Sequence, residues 1–415
     1  MDFTITDITR NSGINAEAHG HLGSRKKAAL IIIEEEGVGM SGKLLVTVDS
    51  LRYDKYHLMP ATQDYLDASH ETAFAVSTAT PGSFPGILTG QYPTPGGIDE
   101  MAEFAAEFDG YTVGISTNHL LSERYGYGHS FDYFEAPKPG DMGLKQRVEK
   151  AVTPGTLHHR LLSTGWNALQ SVRNQFKDVG RTFRPAEDVI ETLLTQIEGR
   201  DEWLGWIHLM EPHHPYEPDD GEMGRVEAQN ASRRVLNGNG SKEDEELVRR
   251  AYEQEIRELD ATLSDLWDGL PSDTEVIFTA DHGELLGEDY NPSWGHPGVM
   301  APELLRVPFG TRNVSWDSGP VVSHIDIGSI VLGEPFGQGE FNRTHAYATY
   351  GEEKAVMDEE YLYNGTGFRT LNGDRIDSNN VSARGELTRR WNRFDPDTVY
   401  RTDALEEDLQ DLGYK

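Results

Sequence analysis

Acidic and imidazole side chains come directly after two hydrophobic runs that have the composition of buried strands. Asp49 follows Leu44–Val48, and Asp281 and His282 end a run that begins at Val276. In an open parallel α/β sheet the C-terminal ends of the strands share one edge, where ligands bind. Carboxylate and imidazole groups suit Ca²⁺, Mn²⁺, Mg²⁺ or Zn²⁺. A single Asp after a strand is more often a helix cap, but the repetition favours a site for about one or two divalent cations per chain.

The segment from Ser77 to Gly90 places a hydroxyl group at the start of a helix. Thr80 followed by Pro81 is typical of an N-cap with proline at the first helical position, and Gly90 is typical of a C-cap. A helix N-terminus attracts tetrahedral anions such as phosphate or sulfate. A cation that also contacted Thr80 would make its hydroxyl a better nucleophile. The other interpretation is that Thr80 only caps this helix.

Histidines are concentrated in two segments that follow other predicted strands. Glu211, His213 and His214 follow Trp203–Leu209, and His296 lies further along the chain in the segment WGHP. Such imidazoles can bind an oxyanion, protonate a leaving group or hold a second metal ion. The other interpretation is that they are surface histidines near a turn.

Composition excludes several classes of protein. The chain has 415 residues, with 37 Lys and Arg against 70 Asp and Glu, and therefore a formal net charge of −33. So acidic a chain is a poor nucleic-acid ligand, because binding to phosphates needs clustered cations. With no cysteine, disulfides, thiolate metal sites and a cysteine nucleophile are excluded. Enough apolar residues are present to build a core, so disorder is not expected.

The same numbers suggest where the protein works. No apolar run reaches the length of a membrane span, and the N-terminus lacks the apolar core of a signal peptide. We therefore predict a cytoplasmic protein without a transmembrane segment. The acidic excess with only 11 Lys favours a high-salt cytoplasm, because carboxylate hydration and short-range screening keep such a surface soluble. An ordinary acidic mesophilic protein is the other possibility.

Short β-rich runs alternate with helical patterns, which predicts an α/β fold with a mainly parallel central sheet flanked by helices. The predicted strands of this sheet are Leu44–Val48, Phe74–Val76, Tyr111–Ser116, Trp203–Leu209 and Val276–Thr279. The predicted helices between them are Met101–Phe108, Ala186–Ile197 and Leu247–Leu266. Asn118 comes after the third of these strands, so it belongs to the same edge as Asp49.

The last part of the chain has a different pattern. Short runs at Ala346–Tyr350, Lys354–Met357 and Glu360–Tyr363 predict a smaller antiparallel α+β subdomain. We divide the chain into an N-terminal extension (1–42), an α/β catalytic domain (43–335) and this C-terminal subdomain (336–415). Residues 138–185 are interpreted as an insertion, 219–245 as an acidic surface excursion, and 404–412 as a terminal helix.

Taken in order, the motifs resemble those of the sulfatase-like branch of the alkaline phosphatase superfamily. The matching segments are Leu45–Asp54, Thr80–Gly90, Gly110–Asn118, Gly128–Phe134, Glu211–Tyr216, Phe278–Glu284, Gly295–His296, Val307–Pro308 and Ser323–Asp326. With the acidic composition, they are similar to a haloarchaeal type of this family with Thr at the nucleophile position.

The resemblance implies a set of roles for the residues at the predicted sheet edge. It implies a metal ion held by Asp49, Asp281 and His282, a nucleophile at Thr80, and a histidine on the substrate side at His213. His296 is implied as a substrate or second-metal residue. The predicted site is therefore catalytic Thr80 and His213, metal-binding Asp49, Thr80, Asp281 and His282, and substrate-binding His213, His296, Glu211 and Asn118.

Departures from the family pattern bear on the chemistry. True sulfatases carry Cys or Ser at the nucleophile position, oxidised to formylglycine, and a nearby arginine that is missing here. Threonine cannot give an aldehyde by that oxidation, because its β-carbon would become a ketone. Ser50 also replaces a second metal-binding aspartate. An unmodified threonine is what the phosphodiesterase and phosphoglycerol-transferase relatives use, although Thr78 and Ser83 are close enough to compete for the role.

Several functions remain open at this point. The favoured one is a metal-dependent hydrolase or transferase that acts on a phosphate ester, with sulfate less favoured, of a small molecule, glycan or lipid headgroup. The others are an arylsulfatase-type sulfuric ester hydrolase and a non-catalytic binding protein with the same fold. Gly37–Leu44 nearly spells a phosphate-binding loop, but it lacks the hydroxyl residue after the lysine and is followed by a strand pattern.

Overall fold

The computed structural model of the chain describes residues 41–93, 103–137, 182–219 and 224–395. The strands are β1 Ser41–Val48, β2 Ala68–Ser69, β3 Ala73–Phe74, β4 Tyr111–Ser116, β5 Tyr133–Glu135, β6 Glu202–Leu209, β7 Glu275–Ala280, β8 Leu285–Glu288, β9 Asn291–Gly295, β10 Arg306–Val307, β11 Phe309–Arg312, β12 Val322–Ser323, β13 Ala346–Tyr350, β14 Glu353–Met357, β15 Tyr361–Tyr363, β16 Phe368–Thr370 and β17 Arg375–Ile376. The α-helices are α1 Pro60–Tyr65, α2 Thr80–Thr89, α3 Ala186–Ile197, α4 Arg225–Leu236, α5 Lys242–Gly269, α6 Pro302–Leu305, α7 Ile327–Leu332 and α8 Arg384–Arg393.

A seven-stranded sheet forms the centre of the fold, in the order β2-β11-β7-β1-β6-β4-β5. The strands β7, β1, β6, β4 and β5 are all parallel to their neighbours, and β11 joins the edge of β7 in the antiparallel direction. The predicted α/β fold with a mainly parallel sheet is therefore confirmed. The predicted strand Phe74–Val76 is not part of this sheet, because β3 pairs with β10 and β12 in a separate three-stranded sheet. Because β1, β4, β6 and β7 run in the same direction, the residues that follow them lie along one edge.

The hydrophobic runs of the central strands are buried on both faces. Leu45, Val46 and Val48 of β1 are fully buried, and so are Trp203 and Trp206 of β6. Continuous apolar runs, without alternation, are expected when helices cover both sides of a parallel sheet. This packing fixes the positions at which the strands end.

The longest helix shows how local sequence sets an element's start. α5 begins at a capping box in which the Ser241 hydroxyl accepts from the Asp244 amide and the Asp244 carboxylate accepts from the Ser241 amide. This reciprocal pair satisfies two amide groups that a helix start leaves without partners. The helix then packs on α1, α3 and α4 through a stripe that includes buried Val248, Leu259 and Leu263.

A second, antiparallel sheet follows in the order β13-β14-β15-β16-β17. It packs against α8 through a separate small core that contains Val356, Phe368 and Leu387. This matches the predicted antiparallel C-terminal part, whereas the boundaries drawn at residues 42 and 335 remain a prediction. In the part of the chain that the structure describes, no helix is both long and apolar enough to cross a membrane.

Some local expectations were wrong. Residues 225–236 form helix α4, so the segment 219–245 is not simply a surface excursion; Ala228, Ala231 and Val235 give this helix a buried face. Between residues 103 and 108 the structure has a short 3-10 turn, Phe104–Glu107, where an α-helix was expected. The N-terminal extension, the terminal helix at 404–412 and most of the insertion at 138–185 lie outside the described residues.

The start of α2 also differs from the expectation by one position. Thr80 is the first helical residue and Ala79, with φ −154°, is the N-cap. Gly90 ends the helix with φ 63°, as expected of a C-cap. The helix still presents Thr80 at its N-terminus.

A buried ion pair ties the end of the α/β part to the segment before the second sheet. Asp326 accepts from the Arg343 guanidinium at 2.8 Å and from the amides of Ser323 and Glu340, each at 2.9 Å. The two charged side chains are only 2% and 6% exposed. A buried pair of this kind is costly to break from one side, because the other charge stays desolvated.

We expect Asp326→Ala to lower the free energy of unfolding by about 3–5 kcal/mol, because Arg343 would lose its main partner. Urea denaturation followed by circular dichroism measures this change. Asp64→Ala, at an exposed position of α1, is the matched control, with an expected change within about 0.5 kcal/mol. A loss below about 1 kcal/mol for Asp326→Ala would place the pair among weak surface pairs and contradict this assignment.

Candidate functional site

Three predicted metal ligands meet at the C-terminal ends of neighbouring strands. Val48 and Ala280 are directly opposite each other in the β1–β7 register, so Asp49 and Asp281 emerge side by side. The ligand atoms of Asp49, Asp281 and His282 lie within 4.8 Å of one another. All three side chains are completely buried. The structure therefore brings together the carboxylates and the imidazole that the sequence predicted to converge.

The hydroxyl of Thr80 lies in the same cluster. Its Oγ1 is 3.3 Å from Asp49 Oδ2 and 3.3 Å from His282 Nε2. The two competing hydroxyls are placed differently: Ser83 Oγ donates to the carbonyl of Ser77 at 3.2 Å, and Thr78 Oγ1 is buried without a hydrogen-bond partner among the described residues. Of the three hydroxyls, only that of Thr80 has a contact to Asp49 or His282 in the described part of the chain.

The neighbouring Ser50 and polar side chains from β6 and the end of β4 fix the Asp49 carboxylate. Oδ2 accepts from Asn118 Nδ2 at 3.2 Å and lies 3.2 Å from His208 Nε2, while Oδ1 accepts from Ser50 Oγ at 2.9 Å. His208 is held in turn by Thr47, whose hydroxyl is 3.1 Å from Nδ1. Groups of this kind, one step behind a ligand, orient it and tune its charge.

The backbone around Asp281 is equally constrained. Asp281 Oδ1 accepts from the amides of Ser50 at 3.2 Å and His282 at 2.8 Å. Ser50 reaches this position with φ 59°, a left-handed conformation that costs free energy for a residue with a side chain. A Cβ on Gly283 would lie 1.9 Å from the carbonyl oxygen of Glu303. Only glycine fits at that position, because the backbone of the turn after β7 passes directly against the backbone of Glu303.

The tautomer of His282 is set by its backbone contact. Nδ1 lies 2.8 Å from the carbonyl oxygen of Gly283, and a carbonyl can only accept. Nδ1 therefore carries the proton, which leaves the lone pair of the neutral ring on Nε2. Nε2 is the atom directed at Asp49 and Thr80. A carbonyl that accepts from one ring nitrogen in this way orients the other nitrogen toward a metal ion.

The electrostatics of the cluster fit a cation. Burial, and after it the neighbouring charge of Asp49, raises the pKa of Asp281 to about 6. Burial lowers the pKa of His282, but Asp281 and Asp49 outweigh it, so the net shift is upward. Oδ2 of Asp281 has no hydrogen-bond partner among the described residues, although His282 Nε2 is 3.5 Å away. A divalent cation would satisfy this oxygen and remove the repulsion between the two carboxylates.

Three further histidines form a second buried cluster beside the first. The rings of His213 and His214 are 4.3 Å apart, and the ring of His296 lies 5.1 Å and 5.0 Å from them. Their ligand atoms also lie within 4.8 Å of one another. The His296 ring is 4.7 Å from that of His282, so the two clusters are continuous.

The Glu284 carboxylate lies beside two of these rings and is within hydrogen-bond distance of one, His214. Its Oε1 is 3.2 Å from His214 Nδ1 and 3.5 Å from His296 Nδ1. Burial lowers the pKa of His213 to about 3 against the opposing charge of Asp49, and burial together with His282 lowers the pKa of His296 well below its usual value. These two imidazoles are therefore neutral near pH 7 in this state of the protein.

Two predicted substrate-binding residues have structural contacts that suggest other roles. Asn118 Nδ2 donates to Asp49, and Asn118 Oδ1 accepts from the amide of Leu120 at 3.0 Å. Asn118 therefore supports the Asp49 carboxylate. Glu211 accepts from the amide of Ala186 at 3.2 Å, at the start of α3. His213 and His296 are in the cluster beside Thr80, as expected.

The predicted site did not include His208, His214 or Glu284, although His214 was counted with His213 among the imidazoles that could bind an oxyanion, protonate a leaving group or hold a second metal ion. Glu284 had a signal, because it directly follows the Asp281–Gly283 motif. His214 had one too, because it is adjacent to His213. His208 lies inside β6, where an imidazole within a hydrophobic run was the only available sign.

Comparison with known proteins identifies the family. The sequence profile of the sulfatase family matches residues 44–333, which is more than two thirds of the chain. The chain belongs to the sulfatase family. The matched span contains every residue of the two clusters described above.

Individual relatives of this sulfatase-family chain differ in what they act on. The low-salt glycan biosynthesis sulfotransferase Agl7 of Haloferax volcanii is 37% identical over 107 residues, which are 25% of this chain and 24% of Agl7. The match thus spans about a quarter of that relative's length. A protein solved with its substrate D-glucosamine-2-N,6-O-disulfate has a TM-score of 0.55 and 13% identity, covering 89% of this chain and 97% of that one. The phosphonate monoester hydrolase of Silicibacter pomeroyi has a TM-score of 0.53 and 14% identity, covering 89% and 95%.

We expect the purified protein to hold about one tightly bound divalent ion per chain, and Asp281→Asn to weaken its binding by at least about tenfold. Loss of a negatively charged ligand is the physical reason. Metal titration with elemental analysis after dialysis measures the affinity. Asp273→Asn, at an exposed position just before β7, removes the same charge away from the cluster and should leave binding unchanged. Equal affinity in all three proteins would show that the ion is bound elsewhere.

Proposed function

We propose that this chain is a metal-dependent enzyme that transfers a phosphoryl group from an ester through Thr80. One observation carries the proposal: the Thr80 hydroxyl lies 3.3 Å from both Asp49 Oδ2 and His282 Nε2, at the N-terminus of α2. A nucleophile beside metal-ligand groups, at the positive end of a helix, suits the attack on a tetrahedral anion.

Asp49, Asp281 and His282, with Thr80, would hold the ion. When bound, a divalent cation would lower the pKa of the Thr80 hydroxyl and neutralise charge on the transferred group. The Thr80 oxygen then attacks phosphorus, a new O–P bond forms, and the bond from phosphorus to the ester oxygen breaks with its electron pair on that oxygen. Water or an acceptor hydroxyl displaces Thr80 in a second step, which regenerates the hydroxyl.

His213 serves both steps in this proposal. Its Nδ1 contacts the carbonyl of His214, so the neutral ring carries its proton on Nδ1 and a lone pair on Nε2. In the first step this lone pair takes the proton of the Thr80 hydroxyl, and the ring passes it to the leaving oxygen. In the second step the ring passes the proton from the water or acceptor hydroxyl to the Thr80 oxygen, so the ring is neutral again at the end of each cycle. His296, whose ring lies 4.7 Å from that of His282, would contact the oxygens of the transferred group.

Phosphate is favoured over sulfate for two reasons. Oxidation of the Thr80 side chain gives a ketone at its β-carbon, so this residue cannot become the aldehyde nucleophile implied for true sulfatases. The arginine that follows the nucleophile in the pattern of true sulfatases has no counterpart here, because Phe84 stands at that position. The fold is shared with the phosphonate monoester hydrolase, which fits this chemistry.

Sulfuryl transfer is the second candidate, favoured by the similarity to Agl7, a glycan biosynthesis sulfotransferase. A glycan or lipid-headgroup ester, or a smaller soluble ester, is the proposed substrate class for either chemistry. The proposed setting is a high-salt cytoplasm, which rests on the net charge of −33.

We expect Thr80→Val to lower kcat by at least about a thousandfold, because it removes the nucleophilic oxygen while keeping the shape of the side chain. Thr78→Val and Ser83→Ala are the matched controls and should retain activity within about tenfold. Initial rates with a chromogenic phosphodiester and added Mn²⁺, Zn²⁺ or Mg²⁺ measure the effect. Full activity of Thr80→Val, with loss in either control variant, would move the nucleophile to that residue.

The ester preference needs a separate measurement. We expect kcat/KM for an aryl phosphodiester or phosphonate monoester to exceed that for the matching aryl sulfate by at least about a hundredfold, or 2.7 kcal/mol of transition-state stabilisation. Both substrates are compared with the same leaving group, with and without a sugar acceptor. A preference for the sulfate ester would replace phosphoryl transfer by sulfuryl transfer at the same residues.

A further inference from the structure

A groove beside helix α8 collects positive charge on this otherwise acidic protein. Arg343, Arg389, Arg390 and Arg393 line it, and its cavity volume is about 460 Å³. We call it the arginine groove. It has two acidic side chains on its walls, Glu340 and Glu386, against four guanidinium groups. One of the four, Arg343, is paired with buried Asp326 and with Glu340, so the other three, all on α8, carry the charge available to a ligand.

One face of α8 supplies three of these arginines. Residues 386, 389, 390 and 393 are spaced three, four and seven positions apart, which places them on one side of a helix. The opposite side is used for packing: Leu387 is fully buried, and Trp391 donates to the carbonyl of Lys354 at 3.1 Å. The arginine face is therefore directed away from the small core.

Local ion pairs account for only part of this charge. Glu386 pairs with both Arg389 and Arg390, as is usual for neighbours on a helix. Among the ion pairs of the described residues, Arg393 takes part in none. Arg389 and Arg393 are exposed. In a chain of net charge −33, exposed arginines on one groove make a local site for anions that the rest of the surface repels.

The groove also has an aromatic side with a buried hydroxyl. Phe394 stacks on Tyr347 with ring centroids 4.6 Å apart and meets Tyr92 edge-on at 5.2 Å. The hydroxyl of Tyr92 is buried and has no hydrogen-bond partner among the described residues. A buried hydroxyl without a partner costs free energy, which a ligand oxygen accepting from it would recover.

We propose that the arginine groove binds an anionic saccharide, that is, a sugar ring carrying sulfate, phosphate or carboxylate groups. Guanidinium groups bind such anions with two parallel hydrogen bonds. Aromatic rings pack against the apolar face of a sugar ring, and the Tyr92 hydroxyl donates to a sugar oxygen.

The groove is separate from the cluster around Thr80. Tyr92 comes two residues after Gly90, at the C-terminal end of α2, whereas Thr80 is at the N-terminal end. Ten helical residues span about 15 Å. The proposal therefore does not rest on the function proposed for Thr80.

Isothermal titration calorimetry of the full chain with three probes tests the proposal: a sulfated disaccharide prepared from heparin, an uncharged disaccharide, and inorganic sulfate. The sulfated disaccharide should bind at least about tenfold more tightly than either of the others, because only it uses both the arginines and the aromatic side. Measurements at two salt concentrations, at which circular dichroism shows the protein folded, should give weaker binding in higher salt.

Variants locate the binding site. The double variant Arg389→Ala/Arg393→Ala should weaken binding of the sulfated disaccharide by at least about tenfold, and Tyr92→Phe should weaken it by about threefold or more. Arg233→Ala/Arg250→Ala removes the same charge from exposed positions of α4 and α5 and should bind as the unchanged chain does.

Four results would overturn the proposal. They are no binding of the sulfated disaccharide, equal binding of inorganic sulfate, equal loss in the two double variants, and unchanged binding in the Arg389→Ala/Arg393→Ala protein. The last of these would place the ligand elsewhere, including at the cluster around Thr80.

Discussion

The repulsion between two buried carboxylates is the constraint on which this site depends. Asp49 and Asp281 end adjacent parallel strands in matched register and are removed from water completely. Desolvation and mutual charge raise the pKa of Asp281 to about 6, and such a pair is stable only if positive charge compensates it. Two backbone features keep the carboxylates together: the left-handed conformation of Ser50 and the glycine at position 283, where a side chain would not fit. A packed apolar core would have no need of either feature.

The parts of the site are supplied by elements of different rigidity. Asp49, Asp281 and His208 belong to or directly follow the central strands, whose side chains are buried on both faces. Thr80 depends on where α2 starts, and His213 and His296 lie on connections between elements. The proposed metal ligands thus lie at strand ends, whereas the proposed nucleophile lies at a helix start and the histidines proposed to face the substrate lie on connections.

The sequence predicted the sheet and its metal-side residues because both depend on local signals. A continuous apolar run such as Leu44–Val48, ending in an acidic residue, specifies a strand, its burial and its functional end at once. Three contacts could not be predicted, because they join residues that are distant in the sequence. Asn118 donates to Asp49, Glu211 accepts from the amide at the start of α3, and Glu284 lies beside His214 and His296. The helix Arg225–Leu236 was missed because its apolar face consists largely of alanines within an acidic, Gly-rich segment.

The arginine groove gives the acidic composition a functional meaning. A chain with an excess of 33 negative charges repels anions wherever its surface is negatively charged. Recognition of an anionic ligand must therefore come from local departures, that is, from sites at which positive charge is concentrated. Two such departures are proposed for its described part: the cluster beside Thr80 once it holds a cation, and the guanidinium face of α8. The first is completely buried and acts at short range, whereas the second is open to solvent through Arg389 and Arg393. An extended anionic molecule would therefore meet the second by long-range attraction, while the chemistry at the first depends on desolvation.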